Sequence, residues 1–142
     1  MLTAFPLLFI TFILYNIFAL FGMSDTAMAA DAALRQELIG MTMPSGGRWV
    51  MGVGDLLVLF SLILLFFELL KSTSSQKVAI INHALSMILF IFCLVEFLLF
   101  PRFATATFFL ITVMVLLDVM AGFIVTIITA RKDFDFGAGG AA

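Results

Sequence analysis

The chain has 142 residues, of which 64% are hydrophobic and 11% are charged. A soluble domain carries about 45 to 50% apolar and about 25% charged residues, so composition excludes a soluble fold of this size. The net charge of −2 and the lack of a basic cluster argue against nucleic acid as a partner. The length allows one domain and leaves no room for a separate catalytic domain.

Four apolar segments are each long enough to cross a bilayer, for which a helix needs about 20 residues. We predict an all-α integral membrane protein with four transmembrane helices in an antiparallel bundle, because a helix satisfies its own backbone amides in hydrocarbon. Short links make the second, third and fourth helices antiparallel neighbours. The predicted spans cover residues 4–22, 50–70, 78–100 and 104–130, and residues 137–142 form a flexible tail after a single domain over 1–136.

The first span also has a feature of a secretory signal peptide, since Ala27-Met28-Ala29 fits the small-residue pattern of a cleavage site. However, no basic residue precedes the apolar run, and this run is longer than the usual apolar region of a signal peptide. We therefore expect the first helix to be retained.

The only long connection, residues 24–49, separates the first two spans. Its apolar residues recur every three or four positions, Ser24 suits an N-cap and Gly40 suits a helix end. The pattern predicts a short amphipathic helix on the outer membrane surface. Trp49, with its amphipathic ring, and Arg48 are expected to anchor the start of the second span among the headgroups.

The basic residues indicate a direction. Lys71 and Lys77 flank the second connection, and Arg131 and Lys132 follow the fourth span. The opposite side carries Arg35, Arg48 and Arg102. Because short cytoplasmic loops are enriched in Lys and Arg, the sequence predicts a bacterial-type inner membrane protein with both termini in the cytoplasm and Lys71 and Arg131 at that interface.

Polar and small residues follow one stripe of the third span. The stripe comprises Asn82, Ser86, Leu89, Cys93 and Glu96, spaced four, three, four and three residues apart. Comparable stripes occur on the second and fourth spans. Transmembrane helices pack through small and polar residues on one face, so these stripes are predicted to turn towards the bundle interior, with the single cysteine as a packing residue.

Ionisable and amide groups inside spans are costly and commonly mark functional sites. The candidates are Asp118, Glu96, Asp55, Glu68, His83 and Asn82. Glu68 and Asp55 are close enough to the ends of their helix to reach the interface with their side chains. Asp118 lies near the middle of the longest span, so it is either neutral or paired with a group from another helix or another protein.

Glu96 lies four residues from the end of the third span. At this depth we expect its carboxylate to meet Arg102 or Arg48.

The residues Gly52-Val53-Gly54-Asp55 resemble the motif of the GxGD intramembrane aspartyl proteases. The resemblance implies a carboxylate dyad that shares one proton, with Asp118 as the second member. Those families have more helices and place the partner aspartate before the motif. The alternative is that the glycines allow another helix to approach the start of the second span.

His83, four residues after Ala79, resembles the pigment-ligating stretch of bacterial light-harvesting helices. This resemblance implies a bound pigment, and a haem with two histidine ligands would require a dimer. The alternative is a histidine hydrogen-bonded to Glu68 or Asn82. We expect no cofactor, and no zinc spacing, catalytic triad, phosphate loop or dinucleotide fingerprint is present in the sequence.

These features predict a non-catalytic protein that acts through helix contacts, as an accessory or scaffolding subunit of an inner-membrane complex or as a homo-oligomer. Its partners are the lipid bilayer and other membrane subunits or a second copy. The alternative function is a small oligomeric proton or cation transporter or channel that uses Asp118 and Glu96.

Overall fold

A computed structural model of the protein describes residues 5–22, 25–71 and 76–138. The helices are α1 (Leu8–Gly22), α2 (Ala27–Leu34), α3 (Val53–Lys71), α4 (Gln76–Leu99) and α5 (Ala106–Ala138). Two strands, β1 (Glu37–Thr42) and β2 (Arg48–Gly52), pair antiparallel. A 3-10 turn over Pro101–Phe103 connects α4 to α5.

Three helices are long and apolar enough to cross a bilayer, over Val53–Lys71, Ile80–Leu99 and Ala106–Val125. Large apolar side chains such as Phe66, Ile91 and Phe123 cover their outward faces, whereas polar side chains are buried between the helices. This distribution suits a hydrocarbon environment, in which apolar side chains face lipid and polar ones need internal partners. The fold is therefore that of a helical membrane protein.

α1 is shorter than the other long helices. Its 15 residues extend about 22 Å, less than the roughly 30 Å of a typical hydrocarbon core. The axes of α1 and α2 differ by 112°, so the two do not form one straight helix. α1 packs against α3 and α5.

The last helix, α5, is at the centre of the bundle. α4, α3 and α1 all pack against it, and its residues Phe108, Ile111 and Val115 are fully buried. Within the described ranges, α3 and α4 pack chiefly on α5 rather than on each other, although they are consecutive in sequence. The predicted packing of α4 on α5 as antiparallel neighbours is confirmed, whereas the predicted packing of α3 on α4 is wrong, because α3 lies on another side of α5.

The polar stripe of α4 does face inwards, as the sequence predicts. Asn82, Ser86, Leu89 and Cys93 are buried, and Glu96 is half-buried. The reason is the helical repeat, which places residues three and four apart on one side of the helix.

The connection between α1 and α3 differs from the prediction. The helix within it ends at Leu34 rather than near Gly40, and the N-cap is Thr26, whose hydroxyl accepts a hydrogen bond from the Ala29 amide at 3.3 Å. The predicted N-cap, Ser24, lies outside the described residues. After Leu34 the chain turns and enters a hairpin.

The hairpin replaces the last part of the predicted helix because its residues pair with the segment before α3. Met41 lies opposite Trp49, and Gly40 lies opposite Val50. The turn between the strands contains Gly46, whose φ of 82° suits glycine. Spacing of three or four residues between apolar positions does not exclude a strand, and β-branched and aromatic residues favour one. As a consequence α3 begins at Val53 rather than at residue 50.

α5 extends beyond the predicted end of the fourth span near residue 130. It continues to Ala138, so residues 137 and 138 are helical rather than part of a flexible tail, and residues 139–142 lie outside the described residues. A helix can continue beyond the hydrocarbon core, because a helical backbone also forms in contact with water. The side chain of Arg131, a predicted anchor, lies outside the described part of the chain.

Gly52 is where the hairpin, α2 and α3 meet most closely. A Cβ added at Gly52 would lie 2.7 Å from the Leu34 carbonyl oxygen and 3.2 Å from the Gln36 carbonyl oxygen. Because these neighbours are backbone atoms, we expect Gly52→Ala to lower the free energy of unfolding by about 1 to 3 kcal/mol. The loss of stability is measured by denaturing the protein in detergent and following the labelling of the buried Cys93 by a thiol dye.

Gly47→Ala is the matched control. A Cβ at Gly47 meets only the Ser45 hydroxyl, at 3.6 Å, which is an ordinary contact. Equal unfolding midpoints for Gly52→Ala and Gly47→Ala would show that the junction does not constrain Gly52.

Candidate functional site

The ionisable and amide residues predicted as candidates occur near two levels of the bundle. We call the end at which α3 and α5 begin, beside the hairpin, the hairpin end. The opposite end, where α3 finishes, is the Lys71 end. The candidate residues divide between these levels.

Glu68 organises the Lys71 end. Its side chain is 0% exposed, one carboxylate oxygen accepts a hydrogen bond from the Leu7 amide, and the other lies 3.2 Å from Lys71 Nζ. Lys71 Nζ also donates to the Phe5 carbonyl oxygen at 2.5 Å and to Asn82 Oδ1 at 3.2 Å. These five residues, the Lys71 cluster, join α1, α3 and α4.

The Lys71 cluster corrects one expectation. Glu68 does not reach the interface, because its carboxylate is turned inwards to the start of α1. There it meets the amides that a helix leaves unpaired in its first turn and the positive end of the helix dipole. Lys71, a predicted interface anchor, has a side chain 19% exposed and belongs to the same cluster, and its position at the interface stays a prediction.

Asp118 finds a partner within this chain. Ser86 Oγ on α4 donates to Asp118 Oδ2 on α5 at 2.5 Å, and the two residues are 1% and 4% exposed. Hydrogen bonds that involve a charged acceptor are short and strong. This bond joins the two helices in the part of the bundle nearer the Lys71 end, one turn from Asn82 on α4.

His83 lies beside Gly122 of α5, at the same level as Asp118. A Cβ added at Gly122 would lie 2.6 Å from His83 Nδ1, so the ring occupies the space that this glycine leaves. His83 Nδ1 is buried and has no hydrogen-bond partner among the described residues. Nδ1 therefore bonds neither Glu68 nor Asn82.

At the hairpin end, Tyr15 connects α1 to α5. Its hydroxyl forms a 2.6 Å hydrogen bond with Thr105 Oγ1 and lies 3.3 Å from the Arg102 carbonyl oxygen. The ring is fully buried and packs on Phe103 and Phe108, with centroids 5.5 Å and 4.6 Å away. Tyr15 therefore combines an apolar body with a bonded polar tip.

Glu96 is bonded to α1 rather than to an arginine. Asn16 Nδ2 donates to Glu96 Oε2 at 3.1 Å. Arg102 instead bonds to the Ala19 carbonyl oxygen and Asp25, and Arg48 pairs with Glu37 in the hairpin at 2.6 Å. The expected meeting of Glu96 with Arg102 or Arg48 is wrong, because Asn16 is nearer to its carboxylate.

A cleft of about 330 Å³ opens between α1 and α4 beside this pair. We call it the α1–α4 cleft. Asn16, Leu20, Glu96 and Phe100 line it, with Arg102 at its rim. The half-buried Glu96 carboxylate is thus next to an open space between two helices.

The side chain of Asp55 caps the start of α3. Its Oδ2 accepts from the Gly52 amide at 2.8 Å, a contact that pairs an amide left free at the helix start. Gly54 faces α5, where a Cβ would lie 2.5 Å from Thr107 Oγ1. The close helix approach that the sequence allows for these glycines is confirmed.

The carboxylate dyad implied by the protease resemblance is not formed. Thr107 lies level with Gly54, beside Asp55, and Asp118 lies about 16 Å further along α5 at 1.5 Å per residue. Two carboxylates that share a proton must be in contact.

Trp49 and Arg48 lie on β2, at the hairpin end. Trp49 is part of the exposed surface and faces Met41 across the strand pair. The anchoring of Trp49 among the headgroups stays a prediction.

Tyr15 and Asn16 are the residues that the sequence candidates omit. They are adjacent hydrogen-bonding side chains inside an otherwise apolar helix. Polar side chains within a span need partners, so this pair was the available signal.

A substitution at Tyr15 tests how α1 is held. We expect Tyr15→Phe to lower the free energy of unfolding by about 1 kcal/mol, because Thr105 loses an interhelical hydrogen bond. The matched control is Thr11→Val on the same helix, since the buried Thr11 hydroxyl has no partner within the described part of the chain. Removing that hydroxyl should leave stability unchanged or raise it. Equal losses for the two variants would contradict a specific role for the Tyr15 bond.

Among the described residues, no group of three or more His, Cys, Asp and Glu side chains is arranged to hold a metal ion. Comparison with models of protein families, with curated proteins and with solved structures finds no match to this chain. The polar contacts described above are therefore the observations on which a function can be proposed.

Proposed function

We propose that this chain is a non-catalytic membrane protein with four spans that works through helix contacts, as an accessory or scaffolding subunit of an inner-membrane assembly or as a homo-oligomer. The observation that carries the proposal is the different surroundings of the carboxylates. Glu68 and Asp118 are closed off by partners within the chain, whereas Glu96 borders an open cleft between two helices.

The bonds of α1 support its role as a fourth span. Its start is bound by Glu68 and Lys71 at one end of the bundle, and Tyr15 and Ala19 are bound near the other end. α1 therefore runs antiparallel to α3 along the bundle. α1 is shorter than the hydrocarbon core. Tilt of the neighbouring helices and local thinning of the bilayer can accommodate this difference in length.

Buried polar groups with internal partners favour a structural role for Glu68 and Asp118. Each of these carboxylates is bonded to a group on another part of the bundle. Apolar packing alone would leave the helices free to rotate or slide against each other. A group that carries ions through the bundle would instead line a water-filled path. The hydrogen bonds of Glu68 and Asp118 thus support a bundle whose helices keep one arrangement while the protein functions.

The α1–α4 cleft offers a contact site for another helix. Polar groups at a lateral opening are bound by hydrogen bonds from a neighbouring span, because lipid tails offer none. Glu96 and Asn16 supply an acceptor and a donor there. A partner helix with a polar or basic side chain at the matching depth would complete the site.

The transporter or channel remains the second candidate because polar residues are continuous from the Lys71 cluster to Asp118. Beyond Ser86, however, Leu89 and Cys93 fill the inward stripe of α4 with buried apolar side chains. This layer separates Ser86 from Glu96 by about 15 Å along the helix. The layer supports helix contact over conduction through a single copy.

We also propose that both termini are cytoplasmic. Lys71 and the segment Arg131-Lys132 belong to the same end of the bundle, since α3 and α5 are parallel, and short cytoplasmic segments are rich in Lys and Arg. A reporter that is active only in the cytoplasm, fused after Ala142, should be active. A reporter active only in the periplasm should then be silent.

The proposed function is tested by extracting the full chain from its native membranes and measuring the mass of the extracted complex by native mass spectrometry. Wild type should co-purify with another membrane subunit or a second copy. Glu96→Leu should dissolve this complex, whereas Asp118→Asn and the lipid-facing control Val95→Ile should retain it. In parallel, proton and cation flux is measured in vesicles that contain the purified chain.

The two candidates give opposite results. Flux through wild type that both Asp118→Asn and Glu96→Leu abolish, with the mass of the complex unchanged, would overturn the contact proposal. A monomer without flux in wild type would overturn both. A complex lost only in Glu96→Leu, without flux in any sample, supports helix contact at the α1–α4 cleft.

A further inference from the structure

A second and larger cleft lies at the hairpin end, where α2, β2, α3 and α5 meet. Its volume is about 480 Å³, within the range of small-molecule sites, which is about 300 to 1,000 Å³. We call it the junction cleft. It is separate from the α1–α4 cleft and contains none of the residues that carry the proposed function.

The rim of the junction cleft is charged. Arg35 and Asp31, which are paired at 2.6 Å, line it together with Asp55. The hydrogen bond that Arg35 Nε donates to the Asp31 carboxylate raises the pKa of Arg35, so its guanidinium stays charged. Asp55 accepts from the Gly52 amide with one oxygen, and this exposed residue also lines the cleft.

The floor of the junction cleft is apolar. Leu59 and Leu62 on α3 and Leu110 on α5 line it, and all three are exposed to the surroundings of the bundle. Asp55 and Leu62 are two turns apart on α3, so the floor descends about 10 Å from the charged rim towards the middle of the span. The cleft therefore has a polar top, an apolar base and an opening towards lipid.

This arrangement of a charged part above an apolar groove matches the headgroup and part of one acyl chain of a phospholipid, because a lipid at this depth places its headgroup at the ends of the spans and its acyl chains beside them. The charges of the rim select the headgroup. Two carboxylates and one guanidinium favour a headgroup that carries both a cation and a phosphate over one that is only anionic. A primary ammonium also supplies hydrogen-bond donors for a carboxylate.

We propose that the junction cleft binds one phosphatidylethanolamine molecule. Its ammonium group contacts Asp55, its phosphate contacts Arg35, and one acyl chain follows the groove between Leu59, Leu62 and Leu110. Thr107, whose hydroxyl also lines the cleft, offers a further polar contact to the headgroup. The lipid would cover the open junction between the hairpin, α3 and α5.

The test uses the purified full chain in detergent with equal amounts of phosphatidylethanolamine and phosphatidylglycerol. Native mass spectrometry measures which lipid stays bound. Wild type should retain phosphatidylethanolamine about fivefold better, the preference that one partly exposed ion pair of about 1 kcal/mol gives. Asp55→Asn should remove the preference, because the amide can still accept from Gly52 but carries no charge.

Two further variants and a control complete the design. Arg35→Gln should weaken both lipids, since both carry the phosphate, and Leu62→Trp should block retention by filling the floor. Glu37→Gln changes an exposed ion pair outside the cleft and should leave retention as in wild type. Protection of Cys93 from a thiol dye verifies that each variant is folded.

Three results would overturn the proposal. These are equal or tighter retention of phosphatidylglycerol by wild type, retention that Leu62→Trp leaves unchanged, and no retained lipid in any sample. Each of them is independent of whether a protein subunit co-purifies, so a failure here is distinct from a failure of the helix-contact proposal.

Discussion

Replacing Glu68 with alanine is expected to lower the free energy of unfolding by about 3 kcal/mol, the lower end of the loss on breaking a buried ion pair. Lys71 Nζ loses its carboxylate partner, and the Leu7 amide loses its acceptor. The lower end applies because the Lys71 side chain is 19% exposed and can recover some hydration. The start of α1 should separate from α3 first.

Denaturant titration in mixed micelles gives this free energy, with dye labelling of the single Cys93 as the readout. Glu68→Gln is the graded variant, since its amide oxygen still accepts from Leu7 but no longer balances the charge of Lys71. Its loss should lie between those of wild type and Glu68→Ala. Glu37→Ala, which breaks an exposed ion pair of the hairpin, should cost less than about 1 kcal/mol.

A loss no larger for Glu68→Ala than for Glu37→Ala would mean that the Lys71 cluster does not stabilise the bundle. Proteolysis offers an independent check of the same contact. If α1 separates first, cleavage near the start of the chain should increase in Glu68→Ala under conditions that leave α3 to α5 protected.

The sequence was sufficient for the inward face of α4. Asn82, Ser86, Leu89 and Cys93 repeat with the helical period, and this period follows from local geometry. The same reasoning identifies the apolar helices over Val53–Lys71, Ile80–Leu99 and Ala106–Val125. Features that depend on one helix alone are therefore visible in the order of residues.

Partners on different helices were less accessible. The sequence predicts Glu68 at the interface because it lies close to the end of its helix, yet its carboxylate binds the start of α1. The depth of Glu96 in its span predicts a contact with an arginine, yet Asn16 is the side chain that donates to its carboxylate. Such pairings depend on how far α1 is displaced along the bundle, and no local rule determines that displacement.

The hairpin was missed for a different reason. Leu38 and Met41 fit a helical spacing, but their strand pairs with residues that the prediction assigned to the second span and its anchor, among them Trp49 and Val50. Strand pairing is a contact between separate segments, so a pattern read along one segment underestimates it.

The bond between Ser86 and Asp118 is the contact whose loss should matter most after that of Glu68. We expect Ser86→Ala to lower the free energy of unfolding by about 2 kcal/mol, because a buried carboxylate then lacks its donor. The matched control is Ser61→Ala on α3. Ser61 is also fully buried, but its hydroxyl donates at 2.6 Å to the Leu57 carbonyl of its own helix, so its removal should cost well under about 1 kcal/mol.

Asp118→Asn separates the bond from the charge. An amide oxygen can still accept from Ser86, while the cost of holding a charge at this depth disappears, so stability should equal or exceed that of wild type. In the double variant Ser86→Ala, Asp118→Asn the loss should be smaller than that of Ser86→Ala alone, because no buried charge is left without a donor. Additive effects of the two substitutions, measured by the same titration, would mean that Ser86 and Asp118 act independently.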